Sequence, residues 1–357
     1  MRVLCATTAN DGHFGPLVPF AQACRRAGHD VLVAGPRSVA GLVARAGLPL
    51  RAVPEAPAAA IDAAFAPVWA QEATVQHVVQ DLFVGIHART ALPGMLSIVA
   101  EWRPDVIVRE TMEFASLLAA DYYGVPQVRV GVHLTAQIDS DGMFAELAAT
   151  ALNVAPDRLL DSPLLTRAPQ WPDEPEHAAL RFRTDVLPRR QEDLVYVSFG
   201  SEAPMSEHFP GVYREAVEAL ADLPVRTLVT IGDRRDPAEL GLLPPSVTVQ
   251  RWAPQGEVMS RAVAMVGHGG SGSTLTALAA GVPQAFVPLF VDGPANADRV
   301  ADAGAGIVAE DLAADVEKLL TNPRYREAAA TVADEIRALP PVDDAVEVIA
   351  HGARSLA

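Results

Sequence analysis

The sequence predicts an α/β protein made of two domains, each built on a parallel sheet. Short apolar runs alternate with segments in which apolar residues recur at helical spacing, as expected for strands joined by crossover helices. A proline-rich interruption near the middle of the chain divides this alternation into two series. The length of 357 residues is enough for two domains with a substantial core each.

The first series predicts an N-terminal domain over residues 1–160. Its strands are predicted at residues 2–7, 31–34, 104–108 and 127–132, and a helix is predicted at residues 113–123. A polar loop over residues 10–15 separates the first strand from a helix that places Leu17, Phe20 and Cys24 on one face. Residues 54–70 and 135–175 have weak periodicity, so we expect loops or short helices there.

The second series predicts a C-terminal domain over residues 193–341. Its strands are predicted at residues 194–199, 226–231, 247–250, 262–266 and 284–287. Residues 161–192 are predicted to be a linker, because five prolines break any long element there: Pro163, Pro169, Pro172, Pro175 and Pro188. The two halves share one architecture, the layout of two facing Rossmann-like domains with parallel sheets.

Charge, hydropathy and cysteine content exclude several classes of function. The formal net charge of −16 argues against a nucleic-acid partner, since such binding depends on neutralising phosphates. No apolar run is expected to reach the length needed to span a bilayer, and no signal peptide is expected, since the first residues enter a predicted strand. Cys5 and Cys24 are predicted to be buried small hydrophobes in a reduced compartment, which favours a cytoplasmic protein.

The sequence also argues against a metal site. No cluster of cysteines and histidines has the spacing of a zinc site. The only Asp-x-Asp run, from Asp139 to Asp141, follows no clear strand and is predicted to be a solvated turn. We therefore expect metal-independent chemistry.

The most informative segment is a glycine-rich turn between a predicted strand and a predicted helix. It reads His268-Gly269-Gly270-Ser271-Gly272-Ser273-Thr274 and leads into the apolar residues 275–280. Such a turn directs several backbone N–H groups and the positive end of a helix dipole at one small volume, which suits a phosphate. His268 can add a donor or a positive charge at the entrance of the turn.

Other glycine-rich motifs fit this segment poorly. A P-loop needs a lysine where Ser273 stands, and a nucleophile elbow needs a glycine at that same position. A dinucleotide-binding fingerprint belongs near the first strand of a nucleotide domain, so the order here is wrong. A turn of small residues, needed only because a helix packs closely on a sheet, stays open as the structural alternative.

Residues on both sides of the turn complete an ordered set. Trp252-Ala253-Pro254-Gln255 follows one predicted strand, and Asp292-Gly293-Pro294-Ala295-Asn296 follows another. An aromatic ring, an anion-binding turn and a carboxylate together suit a base, a diphosphate and a sugar. The set resembles the nucleotide-sugar signature of family 1 glycosyltransferases with the GT-B fold. It looks most like the actinobacterial enzymes that attach deoxysugars to natural-product aglycones.

The resemblance implies roles for residues of the C-terminal domain. Trp252 would stack on the pyrimidine, and the backbone of Ala253 would read the edge of the base. Ser201, in Phe199-Gly200-Ser201, would donate to the phosphates. Asp292 would bind sugar hydroxyls, beside Gly293, which stands where the family usually has a glutamine. The rest of the diphosphate site would be formed by the turn residues His268, Gly270, Ser271, Gly272 and Ser273. Residues 342–357 would form a helix that crosses back onto the N-terminal domain.

The resemblance also implies a general base, His13. Open α/β sheets bind ligands beyond the carboxyl ends of their strands, and His13 lies in the predicted loop after the first strand. Its context, Gly12-His13-Phe14-Gly15-Pro16, matches the Gly-His-x-x-Pro of the family. A histidine base needs a carboxylate partner; Glu110 takes the place of the aspartate of the family, and Glu113 is the alternative. Both acids also suit a helix N-terminus, which is the purely structural interpretation.

The implied reaction is inverting transfer of a deoxysugar from a dTDP-sugar to a hydroxyl of an aglycone. The partners are then a nucleotide sugar as co-substrate and a small-molecule aglycone, with no further cofactor and with a homodimer left open. Relatives that use ribonucleotides carry a glutamate for the ribose hydroxyls where this chain has Thr276, so a deoxyribose suits this site. Two alternatives remain: a nucleotide-sugar epimerase with the GT-B fold, and a non-catalytic relative that activates another transferase.

Overall fold

The computed structural model describes residues 1–70, 72–74, 76–136, 138, 142–175, 179–190, 192–289 and 291–354. The chain divides into two compact units, one of residues Met1–Arg183 with Leu339–Ala357 and the other of residues Thr184–Ala338. Each unit contains one sheet in which every strand pair is parallel. The predicted α/β class with two parallel-sheet domains is therefore confirmed.

The sheet of the first unit has seven strands in the order β3-β2-β1-β4-β5-β6-β7. Their bounds are β1 Arg2–Ala6, β2 Asp30–Pro36, β3 Leu50–Val53, β4 Val106–Glu110, β5 Gln127–Val130, β6 Leu164–Thr166 and β7 Leu180–Arg181. The strand β1 lies between β2 and β4, and its residues 3–6 are fully buried, as their uninterrupted apolar character requires.

Helices cover both faces of this sheet. They are α1 Asp11–Arg26, α2 Ala40–Arg45, α3 Ala58–Trp69, a π-helix His77–Ala88 continued by α4 Arg89–Trp102, α5 Ala115–Tyr123, α6 Gly142–Leu152 and α7 Asp157–Leu160. Short 3₁₀ helices occupy Arg37–Val39 and Val342–Asp344. The last helix of the described chain is Ala345–Arg354, and its Ile349 is buried in the same core cluster as Phe20 and Val128.

The sheet of the second unit has six strands in the order β10-β9-β8-β11-β12-β13. The strands are β8 Leu194–Ser198, β9 Arg226–Thr230, β10 Val247–Gln250, β11 Ala264–Gly267, β12 Gln284–Phe286 and β13 Gly306–Val308. The helices are α8 Gly211–Leu220, α9 Gln255–Arg261, α10 Ser271–Ala279, α11 Gly293–Asp302, α12 Leu312–Thr321 and α13 Pro323–Ala338, with 3₁₀ turns at Ala203–Met205 and Pro237–Leu240.

One helix has the length of a membrane span. The 26-residue segment His77–Trp102 is long and apolar enough to cross a bilayer by length and composition, so the expectation that no segment reaches this length is wrong. Val79, Leu82 and Met95 of this helix are buried in the core of the first unit. Packing of one side in that core accounts for its apolar composition.

Several boundaries differ from the prediction. The helix α1 begins at Asp11, so His13 lies in its first turn and not in a loop. The strands β6 and β7 fall within residues 161–192, which we predicted to be a linker. They are short strands of three and two residues at one end of the sheet, too brief for a clear alternation of apolar side chains. The predicted turn at Asp139–Asp141 lies outside the described residues, as do residues 355–357 of the predicted final helix.

Candidate active site

The first set of predicted site residues meets at the centre of the first sheet. Because β1 and β4 are adjacent and parallel, with Ala6 opposite Arg109, their carboxyl ends lie side by side. Glu110 is the last residue of β4, and His13 follows β1 in the first turn of α1. The topology thus brings together two residues that are far apart in the sequence.

His13 and Glu110 form a close pair. Nδ1 of His13 lies 3.2 Å from Oε2 of Glu110, and the two side chains are 18% and 0% exposed. The other carboxylate oxygen accepts hydrogen bonds from Oγ1 and N of Thr8, at 2.8 and 3.2 Å. Oε2 also accepts from N of Met112 at 2.6 Å. The carboxylate is therefore fixed from three directions.

These contacts keep Glu110 ionised although it is buried. Burial by itself raises the pKa of its carboxyl. The charge of the nearby His13 and the hydrogen bonds from Thr8 and Met112 outweigh burial, so the net pKa is lowered. A buried carboxylate held in this way suits the orientation of an imidazole.

Glu113 occupies a different position. Its carboxylate accepts from N of Ala115 at 3.0 Å and N of Ser116 at 2.9 Å, and from Oγ of Ser116. These groups belong to the first turn of α5, so Glu113 satisfies the free donors of a helix N-terminus. Burial outweighs these hydrogen bonds, so the net pKa of Glu113 is raised, whereas that of Glu110 is lowered. The geometry thus separates the two acids that the sequence left as alternatives.

A second histidine, which the sequence did not indicate, stands near this pair. This histidine is His87. The ring of Phe83, in the π-helix, contacts both histidines, with its centroid 5.2 Å from that of His13 and 5.7 Å from that of His87. Burial, followed by the charge of His13, lowers the pKa of His87 to about 4, although Glu110 and Glu55 act in the opposite direction. His87 also lines a pocket with Thr8, Glu55, Glu113 and Phe114, among others. Only the fold reveals this neighbourhood.

The second set of site residues lies at the carboxyl ends of strands in the second sheet. Ser201 follows β8, Trp252 follows β10, His268 follows β11 and Asp292 follows β12. In the register of β8 and β11, Ser198 stands opposite Gly267, which places the loops of Ser201 and His268 side by side. This is the edge at which parallel sheets bind ligands.

His268 packs between two glycines. A Cβ built on Gly200 would lie 2.7 Å from Cε1 of His268, and one on Gly270 would collide with Nε2. Burial lowers the pKa of His268, while Asp292 and a hydrogen bond to the backbone of Ser198 raise it. The net lowering of this pKa favours a neutral imidazole. His268 is therefore suited to donate a hydrogen bond to a phosphate, and the alternative prediction of a positive charge is not supported.

The glycine turn opens the N-terminus of α10. Gly270 is the N-cap residue and has no side chain with which to cap this first turn. The first backbone bond of the helix runs from N of Thr274 to O of Gly270, at 3.1 Å. The hydroxyl of Ser273 accepts from Nε2 of Gln255 at 2.9 Å, which ties the turn to the segment after Trp252. The turn therefore retains the donor-rich end that an anion needs.

Asn296 holds the turn and the acidic loop together. Its Nδ2 lies 2.8 Å from O of Gly269, 3.1 Å from Oγ of Ser271 and 2.9 Å from Oδ2 of Asp292. Oγ of Ser271 donates to the same Oδ2 at 2.6 Å. Asn296 is buried, and its place in the signature did not by itself indicate a role. It orients one carboxylate oxygen of Asp292.

Exposure distinguishes the remaining candidates. The side chain of Trp252 is 55% exposed, so it is not a core tryptophan and leaves a ring available for stacking. Ala253 is buried in a core cluster, which leaves its backbone as the part that could meet a ligand. Ser201 is exposed, with Oγ 3.3 Å from Oε1 of Glu202.

Gly293 has a packing reason that the sequence did not show. A Cβ on Gly293 would lie 2.5 Å from the carbonyl oxygen of His268, and one on Gly269 would collide with the carbonyl oxygen of Gly293. The two backbones are therefore in direct contact, and a side chain at position 293 would have to displace the turn. Packing therefore explains why glycine stands here in place of the usual glutamine of the family.

Comparison with known proteins places this geometry in a family. Models of the N-terminal and C-terminal domains of erythromycin biosynthesis protein CIII-like proteins match residues 22–189 and 214–351. The elloramycin glycosyltransferase ElmGT of Streptomyces olivaceus is 32% identical over 384 residues, which cover 98% of this chain and 97% of that protein. The chain belongs to this family of antibiotic glycosyltransferases.

Solved structures agree with this assignment. The glycosyltransferase SnogD from Streptomyces nogalater superposes with a TM-score of 0.78 at 29% identity, covering 99% of both chains. The spinosyn rhamnosyltransferase SpnG complexed with thymidine diphosphate has a TM-score of 0.82 at 22% identity, covering 98% of this chain and 100% of that one. The second likeness shows the fold alone. The predicted GT-B fold is confirmed, and the family makes the protein a nucleotide-sugar glycosyltransferase acting on natural-product aglycones.

Proposed function

We propose that the protein transfers a deoxysugar from a dTDP-sugar to a hydroxyl of a natural-product aglycone, with inversion at the anomeric carbon. The observation that carries the proposal is the pair of His13 and Glu110, with Nδ1 and Oε2 at 3.2 Å. A histidine held by a buried carboxylate is the arrangement of a general base. An epimerase would need no base for an acceptor hydroxyl, and a non-catalytic activator would need no such pair.

In the proposed reaction, the carboxylate of Glu110 holds Nδ1 of His13 and leaves Nε2 as the base. Nε2 takes the proton of the acceptor hydroxyl while the hydroxyl oxygen forms a bond to C1 of the sugar. The bond between C1 and the phosphate oxygen breaks, and its electron pair leaves with dTDP. Attack opposite the leaving group gives the inverted configuration.

The leaving diphosphate would be stabilised by neutral donors. The uncapped first turn of α10, the imidazole of His268 and the hydroxyl of Ser201 are the groups assigned to it. Among the described residues, no group of three or more His, Cys, Asp and Glu side chains is placed to hold a metal ion. Metal independence is part of the proposal and is tested by activity in the presence of a chelator.

Two observations support thymidine as the nucleoside. The solved relatives SpnG and VinC, among others, were obtained in complex with thymidine diphosphate. In this chain the hydroxyl of Thr276 donates to O of Gly272 at 2.8 Å and supplies no carboxylate for a ribose. A deoxyribose has no 2′-hydroxyl to satisfy, so its site needs no acid at this position.

The acceptor is proposed to approach from the pocket beside Thr8. Thr8 touches the carboxylate of Glu110, and His87 and Phe114 line the same pocket. The lining combines apolar residues such as Val53 and Phe114 with the polar residues Thr8, Glu55 and His87, so it offers both kinds of contact to a small molecule. We further propose a cytoplasmic location; this and a homodimer stay predictions.

The test is an assay of the purified protein with dTDP-sugars and UDP-sugars against a panel of hydroxylated aglycones. We expect a glycoside whose anomeric configuration, measured by the NMR coupling constant of the anomeric proton, is opposite to that of the donor. His13→Ala is the matched control and should form no more than traces of product. A glycoside with retained configuration, or equal rates for the variant, would contradict the proposal.

A further inference from the structure

The strand that ends in Glu110 also carries a buried arginine. Arg109 is 1% exposed and directly precedes Glu110 in β4. Burial lowers the pKa of Arg109, and Glu113, Glu110 and Asp121 act in the opposite direction. Burying a guanidinium is unfavourable unless its donors are satisfied, so its contacts should reveal why the chain keeps it there.

Nη1 of Arg109 contacts one turn, residues 110–113, and Nη2 lies 3.5 Å from the carbonyl oxygen of Leu159. Nη1 lies 3.3 Å from the carbonyl oxygen of Glu110, 3.3 Å from that of Thr111 and 3.2 Å from that of Glu113. Nε donates to Oε1 of Gln127 at 3.1 Å, which anchors the guanidinium to the neighbouring strand β5. Three carbonyls within four residues thus face a single cation.

The same turn holds one of the two carboxylate oxygens of Glu110. Oε2 of Glu110 accepts from N of Met112 at 2.6 Å, and this N–H belongs to the turn that Arg109 holds. The turn is closed by N of Glu113, which donates to O of Glu110 at 3.1 Å. If the turn opened, the N–H of Met112 would move and Oε2 would lose its fixed place near His13.

We propose that Arg109 is a positioning residue that holds the 110–113 turn so that the carboxylate of Glu110 stays aligned with His13. The inference rests on the proposed function of the His13–Glu110 pair. Arg109 acts through the turn and not on the substrate. An arginine is suited to this role because its planar fork directs several N–H groups along fixed lines, which a lysine cannot reproduce.

The adjacent strand provides a matched control. Arg129 is also buried, at 6% exposure, and stands directly opposite Arg109 in the register of β4 and β5. Its Nη2 donates to the carbonyl oxygens of Leu160 and Ser162, both at 2.9 Å, in the chain that leads into β6. Arg129 is thus a buried arginine whose carbonyl partners at residues 160 and 162 lie outside the 110–113 turn. Loss of either residue should reduce stability, but only Arg109 should affect the pair.

The experiment is a double-mutant cycle on kcat with saturating donor. The variants are Arg109→Met, Glu110→Gln and the double variant, with a parallel cycle in which Arg129→Met replaces Arg109→Met. We expect Arg109→Met to lower kcat about 10- to 100-fold, the range for a displaced catalytic group, and to lower it less than about threefold further when Glu110 is already Gln. Arg129→Met should lower kcat less than about threefold in both backgrounds, and dTDP affinity should stay unchanged throughout.

Additive losses, or equal kcat for Arg109→Met and Arg129→Met, would overturn the inference. If Arg109→Met does not fold, Arg109→Lys keeps a cation with fewer directed donors and should show the same lack of additivity. Failure of the proposed His13–Glu110 pair can be told apart from failure of the positioning role, because full activity of His13→Ala and Glu110→Gln would overturn the pair itself. Loss of activity in those two variants with additive Arg109 effects would overturn only the positioning role.

Discussion

Gly200 lies directly against the imidazole of His268, and a Cβ at position 200 would come within 2.7 Å of Cε1. Gly200 also has a φ of +77°, which side chains other than glycine rarely adopt. The loop after β8 and the glycine turn after β11 are therefore in direct contact, with the hydrogen atom of Gly200 against the imidazole ring of His268. The two halves of the proposed diphosphate site depend on each other.

This contact predicts that Gly200→Ala weakens dTDP binding, because the added methyl group must displace His268. We expect roughly a tenfold loss of affinity by calorimetry, equal to about 1.4 kcal/mol. Gly211→Ala is a suitable control, since a Cβ at position 211 meets nothing within 4 Å. Equal affinities of both variants and the parent protein would mean that His268 does not form part of the diphosphate site.

The two acids of the 110–113 turn predict different kinetic behaviour. His13→Ala should lower kcat by about 10²- to 10⁴-fold, the range for a general base, with dTDP affinity nearly unchanged. Glu110→Gln should show a smaller loss of the same kind. Glu113→Gln should lower the melting temperature and leave kcat close to that of the parent, since its carboxylate serves the N-terminus of α5. A larger kinetic loss in Glu113→Gln than in Glu110→Gln would reverse the assignment.

His87 predicts a pH dependence of stability. Its pKa is about 4 in the folded chain and 6.5 in an ordinary environment. Between these values the unfolded chain binds a proton that the folded chain does not, so the free energy of unfolding falls as the pH falls from 6.5 towards 4. The shift is equivalent to about 1–3 kcal/mol, allowing for partial exposure.

Denaturant titrations at pH 7 and pH 4.5 check this expectation. His87→Leu and His87→Gln should both lose less stability between the two pH values than the parent protein does. Two different replacements are needed because each changes the packing against Phe83 in its own way. If both variants show the same pH dependence of stability as the parent protein, folding does not lower the pKa of His87.

Trp252 predicts a nucleotide effect that does not depend on the sugar. Its exposed ring can stack on a base, and such stacking contributes about 1–3 kcal/mol. Trp252→Ala should therefore weaken free dTDP and the dTDP-sugar by the same factor, roughly tenfold or more, whereas Trp252→Phe should recover most of the affinity. A loss confined to the sugar-bearing ligand would place Trp252 at another part of the donor.

Local pattern predicted the elements but not the long-range partners. The alternation of strands and helices and the glycine turn were evident because each depends on neighbouring residues. Residues 58–69, expected to be a loop or short helix, form the 12-residue helix α3. The contact of Gly293 with the His268 backbone and the neighbourhood of His87 depend on sheet order and helix packing, which no local spacing encodes. Arg109 follows three apolar residues of its strand and precedes an acid, and only burial distinguishes it from a surface arginine.

The choice between thymidine and uridine nucleotides gives the last prediction. Thr276 is half-buried, with its hydroxyl bonded to O of Gly272 in the preceding turn of α10. The parent protein should bind dTDP more tightly than UDP in direct competition.

Thr276→Glu should supply the carboxylate that ribonucleotide-using relatives carry, and hydrogen bonds to a charged group contribute about 1.5–3 kcal/mol. We therefore expect UDP affinity to rise roughly tenfold relative to dTDP. Thr276→Gln, which has similar length and no charge, should give a smaller change. A parent protein that prefers UDP would refute the thymidine proposal, and a glutamate variant without any gain for UDP would show that position 276 does not face the ribose.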